Sequence, residues 1–253
     1  MKQSVICIAG ASGGTGKSTL AKEVSVAFSG HLKTCLIDLD LSHAAQNALF
    51  KITPKKNIMD WVWDYQQSKI TLSLEELRER YTWDFIQEFM VVPQLNQMYI
   101  LPAPGDGAVH ELEREALEMM LLQLREYFDV IILDTGNNLD SATQSAMICA
   151  DRILLVTTAD HTAIADAKKM RRYIRLKDWD IGKYAVVINR QPPSRKALYS
   201  ADEIEDILYI PVIGVLNEDK NLWMLNNAGI PAVKGDDSPL KKAIQKLQYT
   251  LTG

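Results

Sequence analysis

Short apolar runs alternate with longer amphipathic stretches along most of this 253-residue chain. The runs near 4–9, 34–38, 98–101, 129–134, 152–157, 183–188 and 211–215 read as strands. The stretches near 17–28, 110–126, 140–150, 162–176, 200–208, 219–227 and 238–250 carry helical spacing. Several strands are apolar throughout, as in Val130-Ile131-Ile132-Leu133 and Ile153-Leu154-Leu155-Val156, a pattern that suits parallel strands covered on both faces. Strand–helix alternation implies right-handed crossovers. The expected fold is therefore α/β: a doubly wound, mostly parallel sheet of about seven strands, with helices on both faces. With 47% hydrophobic residues the chain can bury a full core, so residues 1–253 are expected to form a single domain.

From about 43 to 95 the rhythm breaks. This segment is helical in pattern and holds Trp61, Trp63 and Trp83, three of the five tryptophans. Ser73-Leu74-Glu75-Glu76 offers a cap and an acidic first turn. It reads as a helical insertion on one edge of the sheet. Its aromatics either pack back onto the domain, the simpler expectation, or face a partner.

The first strand runs into Gly10-Ala11-Ser12-Gly13-Gly14-Thr15-Gly16-Lys17-Ser18-Thr19, and a helical pattern follows. A strand, a glycine-rich turn and a helix start make a nest of backbone N–H groups whose partial charges favour a phosphate. Gly13, Gly14 and Gly16 let the chain wrap closely, with Thr15 and Thr19 beside them. In such a loop Lys17 reaches the β/γ oxygens and the Ser18 hydroxyl ligates Mg²⁺. The second strand ends in Asp38-Leu39-Asp40, two carboxylates on one side of the chain. Beside a triphosphate, one can hold Mg²⁺ through water and the other can orient an attacking water; the alternative is a pair of turn-forming aspartates. Asp134 closes another apolar strand and suits direct or outer-shell metal contact, and Gly136 leaves the next loop free to move. The strand ending Asn189-Arg190-Gln191-Pro192 lacks the Asn-Lys-x-Asp guanine pattern. Asn189 can offer donor and acceptor to an adenine edge or serve as a plain turn former. ATP is therefore expected over GTP.

A formal charge of −4 argues against a globally basic nucleic-acid binder. Cys7, Cys35 and Cys149 stand alone in apolar segments, so a thiolate metal site is not expected. No apolar stretch reaches the length of a membrane span and the first residues run straight into a strand, so the expectation is a cytoplasmic protein without an integral membrane segment. The four histidines show no ligand spacing, and His43 reads as a loop residue.

Together these pieces resemble the MinD/ParA family of deviant-Walker ATPases, within the P-loop NTPase class. The resemblance rests on Ser12 to Ser18, Leu36 to Asp40, Val130 to Asp134 and Val187 to Arg190. Ile210 to Asp219 and Ala228 to Val233 look like that family's last strand and adenine-side loop. Nearly the whole chain outside 43–95 is covered. Tyr99-Ile100-Leu101-Pro102-Ala103-Pro104 and the serine-containing loop look most like the pilus-assembly, CpaE/TadZ-like branch. The resemblance implies a P-loop NTPase fold and an ATP-dependent homodimer that hydrolyses ATP to ADP and phosphate with Mg²⁺. It also implies a protein partner within a membrane or surface assembly, such as a pilus, which the dimer positions, with recruitment to the membrane or cell pole through that partner. By position Lys17 would contact phosphates, Ser18 the Mg²⁺, Asp40 the hydrolytic water, Asp134 the metal shell and Asn189 the adenine. Asp38 would assist the metal and water network, and Arg190 and Asn217 would join the nucleotide site.

Two departures stand out. Relatives usually carry, where this chain has Ser12, a lysine that reaches the partner's nucleotide; Ser12 has neither the reach nor the charge. Arg190 or Arg195 are the candidate substitutes. Asn137-Asn138 stands where relatives often have prolines. Two other readings stay open: a partition ATPase using the basic stretch 168–177 on DNA, and a dethiobiotin-synthase-like ATP-dependent ligase, for which no compact second-substrate cluster is visible. The amphipathic stretch through Leu240, Ile244, Leu247 and Leu251 reads as a closing helix rather than a membrane grip.

Overall fold

A computed structural model describes residues 3–192, 198–235 and 239–252. Its elements run β1 (Ser4–Ala9), α1 (Lys17–Phe28), β2 (Thr34–Leu39), α2 (Ala45–Phe50), α3 (Ile58–Ser68), α4 (Leu74–Arg80) and α5 (Trp83–Ile86). Then come β3 (Met98–Leu101), α6 (Arg114–Leu124), β4 (Val130–Thr135), α7 (Ser141–Cys149), β5 (Arg152–Thr157) and α8 (His161–Leu176). The chain closes with β6 (Tyr184–Gln191), α9 (Ala201–Leu208), β7 (Val212–Asn217), α10 (Leu222–Ala228) and α11 (Pro239–Thr252).

Seven strands form one sheet in the order β3-β2-β4-β1-β5-β6-β7, every strand pair parallel. Alternate strand residues feed two cores, as the pleat requires. Ile6, Ile8, Leu36 and Ile132 pack with Leu20 and Val24 of α1 and Ile244 and Leu247 of α11. Cys7, Ile37 and Ile131 face the other way, with Leu117 of α6, Ala146 of α7, Ile164 of α8 and Ile204 of α9. The doubly wound sheet is as the patterning predicts. The C-terminal amphipathic stretch is a closing helix, with its apolar stripe buried.

Several bounds moved, and two of the shifts show what moved them. The expected 110–126 helix begins at Arg114, because side chains hold the preceding residues: His110 bonds Asp106, and Leu112 N–H donates to Ser141 Oγ. Strand β7 extends beyond the expected 211–215 to Asn217, whose partner is Gln191 across an irregular register.

The 43–95 segment lies beside the edge strand β3, but its rings turn inward. Trp61 is fully buried and meets Tyr81, Phe85 and Phe89 at centroid distances of 5.8, 6.4 and 5.9 Å. Trp83 sits against Tyr99, Tyr127 and Phe128. Of the three tryptophans only Trp63 is exposed, at 65%. Packing back onto the sheet is the outcome.

Register sets up the site. Ile8, Asp134 and Asp38 stand side by side on β1, β4 and β2, so two carboxylates from distant stretches become neighbours on one face. All three strands deliver their carboxyl ends to the same rim, where ligands of open α/β sheets bind.

Candidate functional site

The loop between β1 and α1 is an open cradle. Gly14 and Gly16 adopt φ of 74° and 88°, a left-handed backbone that a side chain would strain. Gly16 also lies so close to Asn189 that a Cβ there would collide with its amide nitrogen. That nitrogen donates to Thr15 O at 2.8 Å, so Asn189 braces the cradle from β6 and keeps its carbonyl oxygen for another partner. Thr15 Oγ1 in turn donates to Ser12 O at 3.3 Å.

Lys17 opens α1 and is buried. Its Nζ donates to Ser12 O at 3.0 Å and to Asn137 Oδ1 at 2.7 Å. Burial lowers its pKa, and the charges of Asp134 and Asp40 oppose that shift. Asn137, one of the two residues that depart from the family pattern, thus ties the loop after β4 to the cradle's lysine. Ser12 points away from this space: its Oγ donates to Asp166 Oδ2 of α8 at 2.8 Å, and Asp166 also pairs with Lys169 at 2.8 Å.

Beneath the cradle Asp38 and Asp134 are both fully buried. Asp38 accepts from the backbone N–H of Asp40 at 3.1 Å and of Gln46 at 3.0 Å, one bond to each oxygen. Asp134 Oδ2 accepts from Gln46 Nε2 at 2.7 Å, and the same amide nitrogen donates to Ser18 O at 2.9 Å. Burial pushes both carboxyl pKa values upward, reinforced at Asp38 by the charge of Asp134 and at Asp134 by that of Asp40; the Gln46 amide holds Asp134 back in part. Asp40 sits at the rim, its side chain 15% exposed, with Oδ1 2.9 Å from His43 Nδ1. A Cβ on Gly136 would come within 3.4 Å of that same oxygen, so the loop after β4 passes directly over Asp40.

Asp134 Oδ1 and Gln46 Oε1 are buried acceptors without a hydrogen-bond partner among the described residues. Orphaned oxygens beside Ser18 suit a hard cation, which takes few protein oxygens and completes its shell with phosphates and water. Among the described residues no cluster of three or more His, Cys, Asp or Glu forms a self-sufficient metal cage. Such a shared Mg²⁺ site fits this donor set.

Beyond Gly16 a cleft of about 280 Å³ opens between the ends of β6 and β7 and α10. Its lining includes Thr19, Asn189, Arg190, Asn217, Trp223 and Asn226. The residues expected to bind nucleotide thus divide between the glycine loop (Gly13 to Thr19), the expected phosphate end, and this cleft (Asn189, Arg190, Asn217), the expected base end, which meet at Gly16. Arg190, one candidate substitute for the missing lysine, lies in this base-end cleft, with a left-handed φ of 50°; Arg195, the other, lies outside the described residues. Gln46, Asp166 and Trp223 escaped the sequence reading, and Asn137 was noted there only as a departure from the family pattern, with no site role. Gln46 follows Asp40 by six residues and Asn137 adjoins Gly136, a proximity that was the only available signal for a role in the site.

The AAA domain family model matches residues 3–180. Among curated proteins the chain is similar to the septum site-determining protein MinD of Thermotoga maritima, with 26% identity over 263 residues covering 99% of this chain and 88% of that one. Its fold is similar to that of MinD in the MinC:MinD cell division protein complex of Aquifex aeolicus, with a TM-score of 0.80, 23% identity and coverage of 99% and 96% of the two chains. It is also similar to septum site-determining MinD from Pyrococcus horikoshii in complex with Mg-ADP, with a TM-score of 0.74, 22% identity and coverage of 98% and 96%.

Proposed function

This chain belongs to the AAA domain family, as a P-loop ATPase of the MinD/ParA kind, and on that premise we propose that it is an ATP-dependent dimeric switch that positions another assembly. The observation that carries the reading is the orphaned Asp134 Oδ1 buried beneath a glycine cradle, with Ser18 beside it and Lys17 parked on Asn137. A triphosphate laid in the cradle accepts from the loop amides and draws the Lys17 ammonium away from Asn137. The loop from Gly136 onward then loses its tether, and that loop passes over Asp40. Asp40, at the rim, orients the attacking water for hydrolysis to ADP and phosphate. Mg²⁺, held by Ser18 and Asp134, would neutralise phosphate charge; Asp38, with both oxygens bonded to backbone, fixes the positions of Asp40 and Gln46.

The relatives that bear on cargo carry septum-site names, one of them in a complex with MinC. They favour placement of a division-site assembly, together with a partner protein, over pilus machinery. No helix among the described residues is long and apolar enough to cross a membrane.

Sedimentation with Mg²⁺ and ATP, ADP or no nucleotide tests the switch. ATP is expected to convert monomer to dimer, and Asp40→Ala to hold the ATP-bound dimer by slowing hydrolysis at least about a hundredfold, the scale of a lost general base. Unchanged mass in all three conditions, for parent and variant alike, would sink the proposal.

A further inference from the structure

Helix α10 forms one wall of the base-end cleft, yet none of its side chains is fully buried. Leu222 and Leu225 rest only in part on the core. Polar bonds from α1 tie this region down instead. Lys22 Nζ, on a fully buried side chain, donates to Asn226 Oδ1 at 3.2 Å and to Ile230 O at 3.3 Å. Asn226 Nδ2 donates to Thr19 Oγ1 at 3.3 Å. Buried Glu23 accepts from the backbone N–H groups of Ala232 and Val233 at 3.0 and 2.9 Å. Two buried charges are costly to keep without partners, and these partners come largely from the stretch 226–233. The helix that begins at the phosphate cradle therefore also fixes the wall of the base-end cleft.

On that wall Trp223 is 74% exposed and, among the described residues, makes no ring contact. Single exposed apolar side chains are ordinary. This one lines a cleft whose other end is Gly16, and asparagines 189, 217 and 227 stand around it with amide donors and acceptors. Its volume, about 280 Å³, is at the lower end of small-ligand pockets, of size for a nucleoside rather than a whole triphosphate.

We infer that Trp223 is the face on which the purine base of the nucleotide stacks, and that Lys22, through Asn226, is the positioning residue that holds α10 where stacking can occur. The inference rests on the nucleotide reading above. Its test compares two ligands that share phosphates but not a base: Mg-ATP and Mg-tripolyphosphate, by calorimetry. Trp223→Leu, a surface change, is expected to weaken ATP about tenfold, in the range of base–aromatic stacking, and to leave tripolyphosphate unchanged; Trp223→Tyr restores most of the loss. Lys22→Met, or Asn226→Leu should the buried change not fold, is expected to give the same base-dependent loss. Equal loss for both ligands, or none for Trp223→Leu, overturns the inference. So does an effect of Trp223→Leu on ATP-induced mass without one on affinity, which would place the indole between copies of the chain. If the parent protein binds tripolyphosphate but not ATP, or neither ligand, the nucleotide reading itself fails.

Discussion

The strand-end cradle and the aromatic segment before β3 bury polar groups on different terms. In the cradle two carboxylates, an ammonium and an amide are withdrawn from water, and Asp134 and Gln46 each keep an unpaired oxygen. In the segment Trp61, Tyr81, Phe85 and Phe89 interlock, and its central acid, Asp64, receives Arg80 Nε at 3.0 Å, Arg80 Nη2 at 2.6 Å and Tyr81 OH at 3.2 Å. Trp61 Nε1 is the one unpaired donor that this ring cluster buries among the described residues. Apart from that one donor the ring cluster satisfies itself; the cradle is built to be completed by something else. Departures from local satisfaction of this kind gather at functional sites.

If that contrast holds, damage to each region has a different signature. Trp61→Ala should cost about 3–5 kcal/mol of folding stability, the scale for emptying a large buried ring, with nucleotide affinity of the folded fraction unchanged. Denaturant titration with and without Mg-ATP reads both. Next in size, Mg-ATP at a hundred times its Kd should stabilise the parent by about 2.7 kcal/mol, and Lys17→Ala should erase that gain while leaving the ligand-free stability close to the parent's or higher, since a desolvated ammonium is removed. A ligand-induced shift that survives Lys17→Ala would break the comparison.

The cradle's acids also set a slope with pH. Burial pushes Asp134 from 3.8 up to about 7, so between those values the folded protein holds a proton that the unfolded chain has released. Stability without ligand therefore falls as pH rises through this window, by up to about 1.4 kcal/mol per pH unit. Asp38, pushed up by burial beside it, adds the same sign within the cradle, and Glu23, also raised by burial, adds it outside the cradle. Saturating Mg-ATP should flatten the slope, measured as the change in melting free energy from pH 5 to 7.5. An equal slope with and without ligand would mean that the orphaned oxygen is not where the cation goes.

How much of this was legible depended on how local each signal is. The cradle lies in one stretch, Gly10 to Thr19, and its acids end apolar strands, so motif and element agree. That Asp38 and Asp134 would serve one metal site was implied by the resemblance; that they would stand directly opposite in register was not legible, because register is decided by the packing of the whole sheet. Gln46 and Asn137 are ordinary polar residues until the fold brings Asp134 and Lys17 to them. Lys22 and Glu23 are harder still: in a helix starting at a phosphate loop they read as solvated charges, and only contact with 226–233 shows why both are buried. The tryptophans of the 43–95 segment were expected to pack back onto the domain, but which rings would meet was not legible. Trp61, Tyr81, Phe85 and Phe89 become neighbours only once the segment folds on itself, and Trp83 finds Tyr99 only once β3 lies beside it.

The smallest effect sharpens the contrast most cleanly, because its sign is opposite. Asp64 is held below its usual pKa of 3.8, first by Arg80, with burial opposing. Its contribution is thus fully present above 3.8 and lost as pH falls through the lowered value in the folded protein. The pair is partly open to water, with side chains 20% and 40% exposed, which screens it to under about 1 kcal/mol. Asp64→Asn should therefore destabilise near neutral pH by less than that, and the gap between variant and parent should close as the solution is acidified below the carboxylate range. Mg-ATP should not alter the gap at any pH, since this ring cluster lines neither the glycine cradle nor the cleft beyond Gly16. A ligand-dependent gap would mean that the aromatic segment and the cradle share one mechanical unit, and the division drawn between them would be wrong.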